Sequence, residues 1–180
     1  LAIALCRYDM GDYEGVIPPI SKFLYFNQQD AFAYYVRAKA YFMMGQNNDA
    51  ETEIVTALAL NDDVMYRLLQ GMILCKKGQY AQAKNILEPL TNSISNSEIY
   101  KYLGMAYFGL KDYNEALLNL DKAVILSEDD KELNAKYNEA KAAVKTIVRT
   151  APPAEKPQET PPATSEQTQL DSTTENDENY

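Results

Sequence analysis

Along the first 130 residues, apolar positions recur three and four apart, the spacing of a helix face rather than the alternation of a strand. Tyr34, Ala38 and Tyr41 precede Gly45 in this way, and Ala50, Ile54, Ala57 and Leu58 follow it. That pattern predicts two helices joined by a tight turn. It returns along the chain. The turn segments Gly11-Asp12-Tyr13, Gly45-Gln46-Asn47, Gly78-Gln79-Tyr80 and Lys111-Asp112-Tyr113 align with third residues 34, 33 and 33 apart. Seven residues before the last three turns stand Ala38, Gly71 and Gly104, and Ala4 falls in step with them. Val16, Ala50, Ala83 and Ala116 follow each turn at a fixed offset, and Phe23, Ala57, Leu90 and Ala123 come later. A self-similarity of this period marks stacked supersecondary units. Glycine suits the turn because it takes the left-handed conformation that ends a helix. Asp12 and Asp112 are placed to cap the helix that follows. The small residues mark a close crossing of two helices.

Period, small residues and turn tyrosines together resemble the tetratricopeptide repeat family over about residues 1–130. The resemblance implies an all-α fold, a right-handed α-α superhelix (solenoid) of helical hairpins. Its units would be a truncated repeat at 1–30 and repeats at 31–63, 64–96 and 97–130. The stretch 131–149 is similar to the polar helix that closes such arrays, with Lys131, Lys136, Lys141, Lys145 and Arg149 giving it a solvated face. There are departures. The usual proline ending each second helix is replaced by Asp62, Ser95 and Glu128, Asn47 stands where other turns carry tyrosine, and Leu74 where Tyr41 and Tyr107 stand. Pro18 and Pro19 are expected to kink the second helix of the first unit, and Pro89 that of the third more mildly.

The family's first helices line a concave groove that binds peptides or proteins without catalysis. Opposite the small packing residues, the positions expected to face that groove are Leu5 and Tyr8; Phe32, Tyr35, Lys39 and Phe42; Met65, Leu68, Met72 and Cys75; Lys101, Met105 and Phe108. Each set forms one stripe on a helix. Two apolar stripes on a helix mean either burial on both sides or one side offered to a partner. Methionines fill core gaps as readily as they adapt to ligands, so Met65, Met72 and Met105 do not choose between the two. The expected function is a non-catalytic interaction scaffold accepting an apolar or amphipathic peptide segment. The alternative is an assembly protein whose repeats self-associate, possible homodimers included, or stack on further repeats upstream. Some family members hold a chaperone's terminal carboxylate. The matching positions here, Tyr35, Lys39, Leu69, Glu98 and Tyr102, lack the paired cations and amides that task needs.

Charge and composition narrow the chemistry. The 180 residues carry 26 acids against 17 bases, a net charge of −9. That is the wrong sign for a nucleic-acid surface. With no histidine, His-based acid–base chemistry and Cys/His zinc sites are excluded. Cys6 and Cys75 lie two repeats apart, which makes a disulfide between them geometrically unfavourable, and read as buried small apolar side chains. No cofactor or metal is expected; the acidic steps Asp62-Asp63 and Glu128-Asp129-Asp130 read as helix caps. Residues 150–180 form an acidic tail, with five prolines and little to bury, and are expected to be disordered. The tail reads as a solubilising spacer, or else as a chain folding over Lys39, Lys76 and Lys101. No apolar run is long enough for a membrane span. The opening Leu1–Cys6 vaguely resembles a lipoprotein box, but bulky Leu5 argues against cleavage there. Two unpaired thiols suit a reducing compartment such as the cytoplasm, and a lost leader would place the same domain outside it.

Overall fold

A computed structural model describes residues 1–127 and 130–150. The acidic tail from residue 151 onward, together with Glu128 and Asp129, lies outside the described residues. Among those described, the secondary structure is helical throughout: α1 (Ala2–Asp9), α2 (Tyr13–Phe26), α3 (Ala31–Met43), α4 (Asn47–Leu60), α5 (Val64–Lys76), α6 (Tyr80–Leu90), α7 (Ser97–Gly109), α8 (Tyr113–Leu126) and α9 (Lys131–Thr150). Each helix packs on the next in sequence, giving the hairpins α1–α2, α3–α4, α5–α6 and α7–α8. In addition α3 touches α5, α5 touches α7 and α7 touches α9. The odd-numbered helices therefore form a layer of their own, with the even-numbered ones behind it.

Local chemistry ends and starts these helices. Gly11, Gly45 and Gly78 adopt φ of 76°, 75° and 75°, and Lys111 takes the fourth turn at φ 65°. The next N–H then reaches back five residues: Asp12 to Arg7, Gln46 to Tyr41 and Gln79 to Leu74, each at 2.9 Å, and Asp112 to Tyr107 at 3.0 Å. That is a Schellman closure, which satisfies carbonyls the helix leaves free. Starts are capped by carboxylates and one amide. Asp12 accepts the Gly15 N–H and Asp112 that of Glu115, as the sequence suggests. Asp30, Asp63 and Asn96 do the same for α3, α5 and α7.

The prolines lie within helices. α2 runs on through Pro18 and Pro19. Pro18 is exposed, while Ile20 and Leu24 beyond it are buried. Burying two such side chains contributes about 3–6 kcal/mol, which works against the cost of interior prolines, about 3 kcal/mol each. Pro89 sits near the end of α6, which has 11 residues where α2, α4 and α8 have 14.

The core runs through the hairpin interfaces and between successive hairpins. Ala4, Ile20, Ala38, Ile54, Leu87 and Leu120 are all fully buried. At Gly71 an added Cβ would lie 2.5 Å from Leu87 Cγ and Cδ2, and at Gly104 2.6 Å from Leu120 Cγ. Side chains also stitch hairpins together. The Tyr107 hydroxyl donates to Glu88 Oε1 at 2.5 Å, Lys77 pairs with Glu51, and the Cys75 thiol donates to the Tyr102 carbonyl at 3.3 Å.

Candidate ligand groove

The layer of odd-numbered helices carries the candidate site. Tyr8 from α1, Tyr35, Lys39, Phe42 and Met43 from α3, Met65, Leu68, Leu69 and Met72 from α5, and Glu98 from α7 line one recess of about 240 Å³. Four hairpins contribute to it, because helices stacked in one layer present equivalent stripes to the same side. Seven of the expected groove residues meet here. Within the recess Leu68 is 1% exposed and Met72 8%, so both form its floor, and the exposed Met65 (39%) stands at its rim. For Leu68 and Met72 the packing role holds alongside any ligand role. Met105 and Phe108 line a separate recess with Cys75, Tyr80, Tyr113 and Lys136. Phe32 lines neither; it is exposed, with its ring 6.1 Å from that of Tyr35. Leu5 packs into the core of the first hairpin instead.

Lys101 is a correction. It was expected as a groove cation, yet it is only 8% exposed and its Nζ donates to Asp130 Oδ2 at 2.8 Å and Glu132 Oε2 at 2.7 Å. Burial opposes its charge, but the two carboxylates outweigh burial and hold Lys101 above the usual lysine value. Lys76 Nζ shares Glu132, 2.8 Å from Oε1. Hydrogen bonds from Lys101 and Lys76 hold the Glu132 carboxyl below the usual range. Asp130 also accepts the Leu133 N–H, so one acidic pair starts α9 and fastens it to α5 and α7. Of Lys39, Lys76 and Lys101, the cations named in the alternative reading of the tail, the last two are thus already neutralised by the chain's own carboxylates.

Lys39 is held otherwise: its Nζ lies 5.0 Å from the Tyr8 ring centroid, a cation–π contact. Tyr35 stacks on Tyr66 with ring centroids 4.8 Å apart. Burial, followed by neighbouring tyrosines and by Glu98 and Asp9, pushes the Tyr8 hydroxyl well above its ordinary ionisation. Burial and Glu98 do the same at Tyr35. Both remain neutral hydrogen-bonding groups at any physiological pH. The stripe reading missed Met43, Leu69 and Glu98. Adjacent residues on a helix point about 100° apart, so Met43 beside Phe42 and Leu69 beside Leu68 show that the recess takes in a wider face than a single stripe. Glu98 had a signal, since its position matches one at which family members recognise a carboxylate. Here an acid stands there.

Cys75 is buried, and burial pushes its thiol up to about 12, so the side chain serves as packing. Cys6, expected to be buried too, is instead exposed, because on α1 it is Ala4 that faces the core. Among the described residues, no three Cys, Asp or Glu side chains are placed to hold a metal ion, and no helix is long and apolar enough to cross a membrane.

Comparison with known proteins bears on the fold. Residues 97–130 match the model of the tetratricopeptide repeat family. The fold is similar to that of MamA (residues 41 to the end) from Desulfovibrio magneticus RS-1, with a TM-score of 0.65 and 19% identity over 82% of this chain and 90% of that one. It is similar to the Sgt2 tetratricopeptide domain of Aspergillus fumigatus, with a TM-score of 0.60 and 18% identity over 74% and 92%. The first such domain of human RPAP3 aligns with a TM-score of 0.59 and 15% identity over 67% and 97%. The chain matches no curated protein sequence.

Proposed function

We propose that this tetratricopeptide-repeat protein uses the recess on its odd-numbered helices to hold an apolar segment of a partner polypeptide. Its repeats are of a kind that serves as interaction scaffold, and the recess is what points to a particular place on it. The observation that carries the reading is one recess reached by side chains from α1, α3, α5 and α7. Aromatic faces and thioethers make up most of its wall, surfaces that adapt to apolar side chains of varied shape. A segment lying across the layer would place successive apolar residues against successive hairpins.

Peptides selected from a displayed random library against the full chain test this. Phe42→Glu and Met65→Glu place a charge in the wall at positions still reached by solvent, whereas Met72 is too buried for such a change. The expected result is loss of binding by peptides bearing Leu, Met, Phe or Trp, with an unchanged far-UV circular dichroism spectrum. Selected peptides that bind both variants as tightly as the parent chain would refute it.

A second reading, self-association, draws on a different observation. Tyr25, Phe26, Leu60, Ile125 and Leu126 are exposed at the ends of α2, α4 and α8. Light scattering across a dilution series decides it: a mass that stays monomeric at every concentration removes this reading.

A further inference from the structure

Resting on the groove reading above, we infer that the accepted segment is cationic as well as apolar: it carries Lys or Arg beside its anchoring residue, and that charge meets Glu98. The charges of the inner layer, taken one at a time, lead there. Lys76 and Lys101 are bound to Glu132 and Asp130. Lys136 Nζ is 2.7 Å from Glu139 Oε2 and lies 4.9 Å from the centre of the Phe108 ring. Lys39 rests on the Tyr8 ring. Each of these cations thus has a partner within the chain.

Glu98 differs. It is exposed on the first turn of α7, faces the recess, and makes no ion pair among the described residues. Lys39, the other charge lining the recess, rests on the Tyr8 ring rather than pairing with it, so the Glu98 carboxylate is left at the α7 side to meet a ligand cation. Asp63, at the start of α5, adds to the negative field felt at Tyr35. The rest of the wall suits the same ligand. Tyr8, Tyr35 and Phe42 offer ring faces, and an ammonium or guanidinium is attracted to such a face as well as to a carboxylate. The placement of Lys39 on Tyr8 shows that a ring here accepts an ammonium.

The layout also has a direction. Lys39 stands at the α1–α3 side and Glu98 at the α7 side, so a partner's cation is repelled from one end and attracted to the other. A segment with its charge next to its apolar anchor therefore has one favoured orientation across the layer. An acidic segment would meet Glu98 unfavourably, and like charges brought together are a strong source of discrimination.

The library selection described above, extended to charge, tests this on the full chain. Enriched peptides should show Lys or Arg next to an aromatic, Leu or Met residue, in excess over Asp and Glu. Their synthetic forms, titrated by fluorescence anisotropy, should weaken as salt rises. Glu98→Gln should weaken them severalfold and Glu98→Lys by roughly tenfold or more. Apolar peptides that lack Lys and Arg, or that ignore Glu98→Lys while still failing on Phe42→Glu, would overturn the charge assignment and leave the groove reading standing. Peptides indifferent to Phe42→Glu and Met65→Glu alike would remove the groove reading and this inference with it.

Discussion

The close crossing of α5 and α6 permits a quantitative test at Gly71. Alanine there would set a Cβ 2.5 Å from both Cγ and Cδ2 of Leu87. Ordinary carbon contacts lie at about 3.5–4.0 Å, so more than about 1 Å must be opened between helices or taken up by an off-rotamer leucine. Overpacking of this kind costs about 1–3 kcal/mol, while alanine's better helix propensity returns about 1 kcal/mol. Gly71→Ala should therefore destabilise by about 1 kcal/mol, lowering Tm by roughly 2–4 °C. The earlier hairpins show how the strain is relieved. Positions 4, 38, 71 and 104 hold Ala, Ala, Gly and Gly, while positions 20, 54, 87 and 120 hold Ile, Ile, Leu and Leu. Isoleucine branches at Cβ and leucine at Cγ, so each pair divides the same space differently. Gly71→Ala combined with Leu87→Ile recreates the pairing of the first two hairpins and should return stability to within about 0.5 kcal/mol of the parent. Leu87→Ile alone should cost up to about 1.5 kcal/mol. Thermal and urea melts of the four proteins complete the cycle. Effects that simply add, within about 0.5 kcal/mol, would refute the steric account. So would a Gly71→Ala protein more stable than the parent.

Three further outcomes follow from the structure. Lys111 holds a left-handed conformation that its three counterparts give to glycine, so Lys111→Gly should stabilise by about 0.5–1 kcal/mol, read as a higher Tm. The Glu132 carboxyl is held below its usual range by Lys101 and Lys76. The stability this adds is fully present above the unfolded value near pH 4.5 and is lost as pH falls through the lower folded value. The Tm gap between the parent and Glu132→Gln should therefore be widest near neutrality and shrink as pH falls below the unfolded value; a gap constant with pH would contradict the pairing. Finally, a thiol reagent at pH 8 should modify exposed Cys6 rapidly and buried Cys75 only on unfolding, giving one fast equivalent by mass spectrometry.

The hairpin architecture was legible from residue order because its causes are local and repeated. Turn glycines, capping aspartates and apolar residues at helical spacing act within one hairpin, and each recurrence after 33 or 34 residues adds weight to the same reading. The stripe on the first helices is legible for the same reason, and of its thirteen positions Tyr8, Tyr35, Lys39, Phe42, Met65, Leu68 and Met72 share one recess. Other features depend on contacts across the stack. Lys101 reads as a groove cation until α9 folds back and brings Asp130 and Glu132, 29 and 31 residues away in sequence, onto its ammonium group. That α2 stays helical beyond Pro18 and Pro19 goes with Ile20 and Leu24 being held in the core. Glu98 gains meaning from making no ion pair among the described residues although Lys39 lines the same recess, a property of the assembled layer. Local backbone preference and helical periodicity act over a few residues and are written in their order, whereas which charge finds a partner is decided by distances that exist only after the helices have stacked.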